Sequence, residues 1–77
     1  MMNNSYWVES KILIKQAFPT REDALQYALR QTDAKNYHFI TTVCYSDYYI
    51  DFIVASPTNK IEHVKIVSHE DQLVNWA

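Results

Sequence analysis

Three histidines, His38, His63 and His69, and one cysteine, Cys44, are the side chains of this chain best able to hold a metal or attack a substrate. Imidazole nitrogens and thiolates bind zinc when three or four of them converge, and a thiolate becomes a nucleophile when a neighbouring base takes its proton. Spacing decides how far either chemistry can go. His38 and Cys44 lie six positions apart, which in a strand rising ~3.3 Å per residue is about 20 Å, too far to share an ion or a proton. His63 and His69 fail the same test if one strand runs through both, and no C-x-x-C or H-x-x-x-H pair exists, so no metal site is expected. One enzymatic constellation is left, Cys44 facing His63 or an acid across neighbouring strands. Against it, Cys44 sits among Ile40, Thr42 and Val43, a setting that suits a buried and inert thiol. The carboxylate pairs Asp47 with Asp51 and Glu70 with Asp71 fall at a turn and at a helix cap, where solvation or capping accounts for them, and no cleft for two-carboxylate hydrolysis is implied.

Whole classes of function are narrowed by composition. The chain has no glycine, so the phosphate-cradling loops of nucleotide-binding proteins, which need positive φ and close backbone approach, are ruled out, and no cofactor is expected. Seven Lys and Arg against nine Asp and Glu give a net charge of -2, which lacks both the field that draws proteins to phosphate backbones and the acidic excess of a nucleic-acid mimic. A lone cysteine excludes an internal disulfide framework and suits a reducing cytoplasm. No apolar run reaches the ~18 to 20 residues of a membrane span, and Met1 to Ser5 show no secretion signal. With 77 residues the chain is expected to form one α+β domain over 1–77, with a core too small to spare apolar groups for a deep pocket.

The elements that must position any site are read from periodicity. Between Tyr6 and Phe18 the residues Val8, Ile12, Ile14 and Phe18 share one parity and Glu9, Lys11 and Lys15 the other, the pattern of a half-buried strand. Trp7 and Leu13 interrupt the polar side. Pro19 stops the strand, Thr20 is a good N-cap with Asp23 three residues on, and Ala24, Leu25, Ala28 and Leu29 form a narrow apolar stripe, predicting a helix that lies on a sheet. Asn36 is placed to end it in the left-handed conformation. Tyr37–Tyr45 and Tyr48–Ala55 are rich in aromatic and β-branched residues around Ser46 and Asp47, predicting a tight hairpin whose turn, lacking glycine, could be slightly longer. Ser56–Lys60 reads as the next turn, Ile61–Val67 as a fourth strand, and Glu70–Trp76 as a short final helix. The expected fold is a two-layer α+β domain in the order β-α-β-β-β: a mainly antiparallel four-stranded sheet, one main helix on one face and a short C-terminal helix.

Two groups of residues point to a surface for a partner. Tyr45, Asp47, Tyr48, Tyr49 and Asp51 crowd around the hairpin turn, and tyrosine is a preferred interface anchor because it joins area and few rotatable bonds to a polar tip; the same rings could instead pair across strands. If Ile50, Phe52 and Val54 face the core, Tyr49 and Asp51 point outward. One helix cannot cover both faces of a sheet, so Trp7, Leu13, Tyr49 and Ile53 are expected as an apolar patch on the open side, unless the segment with Leu73 and Trp76 folds over it.

The strand Lys11–Phe18, the helix Thr20–Ala34 and the strands after Tyr37 resemble, in size and order of elements, the compact inhibitors encoded by phages and mobile elements, such as anti-CRISPR proteins and phage inhibitors of host polymerase. That resemblance implies a non-enzymatic module that blocks or adapts a larger assembly through direct protein contact, without a cofactor. From Thr20 to Trp76 the order of elements also resembles the double-stranded RNA binding domain, but Ser68, His69, Glu70 and Asp71 stand where that family carries phosphate-binding lysines, so nucleic acid is not the expected partner. A homodimer formed through the exposed face or an edge strand is the alternative expectation.

Overall fold

The computed structural model describes residues 5–68. They form β1 (Tyr6–Ser10), β2 (Leu13–Phe18), α1 (Arg21–Ala34), β3 (His38–Tyr45), β4 (Tyr49–Ala55) and β5 (Ile61–Ser68). The strands make one antiparallel sheet in the order β2-β1-β5-β4-β3. The sheet therefore has five strands, not the expected four. The stretch expected to be one strand from Tyr6 to Phe18 folds back on itself at Lys11 and Ile12. Ser10, without help from glycine, closes that turn: its Oγ accepts the Ile12 N–H at 3.3 Å, the local hydrogen bond by which serine competes with an extended ladder. The expected helix over Glu70 to Trp76 lies outside the described residues.

The new hairpin also inverts part of the expected alternation. Val8 pairs with Gln16 and Ser10 with Leu13, so β2 spends one residue more than β1 over that interval, a β-bulge. Beyond a bulge the two faces exchange. Leu13, expected on the open face, is turned into the core and only 9% exposed, whereas Ile14, expected in the core, is 78% exposed.

The helix begins as its sequence directs. Thr20 is extended (φ -130°, ψ 157°), and its side chain accepts the Asp23 N–H at 3.1 Å. At the other end Asn36 takes φ 67°, with the Asn36 N–H donating to Asp33 O and the Tyr37 N–H to Thr32 O, both at 2.9 Å. This is the left-handed terminator expected of it. Ala24, Ala28 and Thr32 form the buried stripe, while Leu29, expected beside them, stays exposed on the flank.

The helix connects β2 at one edge of the sheet to β3 at the other. Fourteen residues rising ~1.5 Å each span about 21 Å, close to the ~19 Å covered by four inter-strand gaps. It packs mainly on β2, β1 and β5 and less on β3. Beneath it Val8, Ile50, Phe52, Val54, Val64 and Ile66 build the core, joined by Tyr6, Phe18 and Tyr27. As read from the alternation of β4, Ile50, Phe52 and Val54 face the helix.

Candidate functional site

Two bulges shape β3. Phe39 pairs with Val54, Thr41 with Ile53, Thr42 with Phe52, Cys44 with Asp51 and Tyr45 with Ile50. Ile40 with Thr41 thus stands against the single residue Ile53, and Val43 with Cys44 against Asp51. Directly opposed residues of an antiparallel pair share a face. Phe39, Thr42 and Tyr45 therefore lie on the helix side, spaced by three rather than by two, because each bulge adds a residue between them.

Since α1 stands back from this edge, a trough opens between it and β3. Leu25 and Leu29 form one wall, Phe39 and Tyr45 the other, and Ile50 and Phe52 the floor of a space of about 400 Å³. The Phe39 and Phe52 rings meet at 5.9 Å. Arg21 lies beside the Tyr45 wall. Its Nη1 donates to Ser46 O at 3.1 Å and lies 3.6 Å from Asp47 Oδ1, and its guanidinium sits 5.1 Å from the centre of the Tyr45 ring. Thr42 and Tyr45 bring the only side-chain hydroxyls among the lining residues, so the trough is poor in the converging polar groups that orient a small ligand.

The residues expected to bind a partner are divided between the two sides. Tyr45 borders the trough, Asp47 is held by Arg21, and Tyr48 lies exposed in the turn, its carbonyl accepting the Ser68 N–H at 2.9 Å. The turn runs from Ser46 to Tyr48 and is closed by the Ser46 N–H donating to Tyr49 O at 2.9 Å. Trp7 and Tyr49 both pair with Val67, and Ile53 pairs with His63, which sets these three on the sheet face away from the helix. Leu13, as described above, is not among them. The tyrosines therefore do not lie on one face, and the apolar flank of Phe39, Ile40 and Val43 was missed. What hides it in the sequence is the pair of bulges, which breaks the alternation a strand normally shows.

The face away from the helix also carries His63, Asp51 and Cys44. His63 Nδ1 and Asp51 Oδ1 are 2.9 Å apart, and Asp51 is buried. Cys44 lies on the far side of Asp51, exposed rather than buried as expected. β4 separates its strand from that of His63, and two inter-strand gaps with a two-residue offset along β4 put the two residues about 12 Å apart along the sheet. The bridging carboxylate meets the imidazole, so no cysteine–histidine dyad forms. Among the described residues no group of three or more His, Cys, Asp or Glu could hold a metal ion. Near Lys11, a shallow depression mixes Glu9, Glu62, His63 and Lys65, opposite signs that leave no anion-selective field.

No protein-family model matches the chain, and no curated protein or solved structure matches it significantly. Among the described residues no helix is long and apolar enough to cross a membrane.

Proposed function

We propose that this chain is a non-enzymatic protein-binding module that acts by direct contact along its β3 flank, as an inhibitor or adaptor of a larger protein. One observation carries the reading. On β3, Phe39, Ile40, Val43 and Tyr45 are 52%, 47%, 54% and 63% exposed; Phe39 and Tyr45 wall the trough beside Leu29, and Ile40 and Val43 stand in the bulges of the same edge strand. Apolar groups concentrated in this way on a small domain mark a surface that gains by being covered. The neighbouring backbone edge offers unpaired N–H and C=O groups, so an approaching chain could add main-chain hydrogen bonds to side-chain burial. Function by occlusion is also what the likeness in size and element order to small phage-encoded inhibitors would imply.

The experiment compares capture of proteins from a lysate of the source cell by the tagged chain, by a Phe39→Ala/Tyr45→Ala variant and by Ile14→Ala. Ile14 is more exposed than any of these four apolar residues but lies on the opposite edge strand. Loss of captured protein with the double variant and retention with Ile14→Ala is expected. Equal capture by all three would remove the β3 flank from the function.

A further inference from the structure

We infer that the β3 flank, when no larger partner covers it, is occupied by a second copy of this chain, paired edge to edge about a two-fold axis through Thr42. The inference rests on the reading of that flank as a contact surface, and it follows from three properties of the strand.

The first is register. Along β3 the pattern is Phe39, the bulge Ile40/Thr41, Thr42, the bulge Val43/Cys44, and Tyr45. A two-fold axis at Thr42 sets each residue against the one equally far on the other side. Phe39 then faces Tyr45 of the second copy, Thr42 faces Thr42, and the bulge at 40 and 41 faces the bulge at 43 and 44. Every helix-side residue meets a helix-side residue, as an isologous contact requires. A regular strand would not follow this edge, because β3 spends two more residues than β4 over the same length. Another copy, with the same excess at the same places, would follow it.

The second is charge. None of the eight residues of β3 is Lys, Arg, Asp or Glu. The opposite edge strand, β2, carries Lys15, a usual protection against edge pairing. Two copies of β3 can therefore approach without like charges meeting across the seam.

The third is area. At the exposures given above, and with Leu29 and Tyr48 added at 40% and 51%, six side chains present roughly 450 Å² of apolar surface per copy, taking ~200 Å² for a whole aromatic side chain and ~100 Å² for an aliphatic one. A stable dimer buries about 800 Å² per partner, of which about 65% is apolar. The flank comes close to that apolar share, and the strand's own backbone and threonines supply polar surface for the rest.

Sedimentation velocity on the purified chain, from dilute solution to NMR concentrations, tests the inference. A species of twice the 9.1 kDa chain mass is expected to grow with concentration. Ile40→Lys and Val43→Lys should each weaken it by about tenfold or more, since each puts an ammonium group into the seam, whereas Ile14→Lys should leave it unchanged. Circular dichroism of each variant checks that the fold is kept. The register is tested by mild oxidation in a Cys44→Ser background. Thr42→Cys should link to its own copy, because directly opposed residues lie within disulfide reach. His38→Cys should not, since its counterpart lies about 26 Å along the seam. A monomer at every concentration, or a dimer indifferent to both lysines, overturns the inference. If the chain is monomeric and Phe39→Ala/Tyr45→Ala still loses a captured protein, the second copy is wrong and the contact flank stands.

Discussion

Asn36 and Asn59 adopt φ values of 67° and 66°, a region that costs an ordinary L-residue about 1–2 kcal/mol and asparagine less. In a chain without glycine, these two residues take over the turns glycine would otherwise make. Asn59 closes the loop from Ser56 to Lys60, its N–H donating to Ser56 O at 2.9 Å, while Ser56 Oγ accepts the Lys60 N–H at 3.0 Å. Asn36 ends the helix and starts the chain toward β3. Replacing Asn36 by alanine puts a β-carbon into the same conformation without the local hydrogen bonding of the amide. Urea unfolding should show Asn36→Ala less stable by about 1 kcal/mol and Asn36→Gly unchanged or slightly more stable. Equal losses from both would mean that the side chain, and not the backbone angle, matters there.

The element that most changes the reading of the molecule is the hairpin of β1 and β2. Its bulge decides which of two neighbours is buried: Leu13 is in the core cluster and Ile14 is in solvent. Leu13→Ala should therefore cost about 2–4 kcal/mol, as removal of a buried leucine side chain does, while Ile14→Ala should stay within about 0.5 kcal/mol of the parent. A larger loss at Ile14 than at Leu13 would refute the bulge. Where strands pair regularly, their faces are legible from sequence: Ile50, Phe52 and Val54 alternate with Tyr49, Asp51 and Ile53 as expected because β4 is flanked by β5 in unbroken register. The helix was legible through Thr20, whose side chain caps its start, and Asn36, whose backbone takes the left-handed turn at its end. The hairpin at Lys11 and Ile12 was not, since a turn closed by a serine hydroxyl leaves no glycine or proline to mark it. Nor was the trough, because the direction of a side chain beyond a bulge depends on the partner strand, and no window of β3 alone contains that information.

At the scale of the whole molecule, stability is unevenly shared across the sheet. The helix fastens β2, β1 and β5, and β5 holds β4 through seven consecutive pairs from Tyr49–Val67 to Ala55–Ile61. β3 hangs from β4 by a ladder interrupted twice, and every one of its residues is exposed. A strand with little buried surface should open as a unit well below the free energy of global unfolding. In dilute solution, amide exchange measured by NMR should accordingly be faster for the β3 N–H groups that bond to β4 than for those of β1, β4 and β5, by about tenfold or more. A second copy on the edge would oppose that opening by mass action, because it binds the closed strand and not the open one. Protection in β3 should then rise with protein concentration while that of β1 and β5 stays constant, and Val43→Lys should abolish the rise. Protection that is low in β3 and independent of concentration would show an edge that opens alone and meets no copy. Protection as high in β3 as in β5 in the dilute chain would show instead that the two bulges do not weaken the strand's attachment.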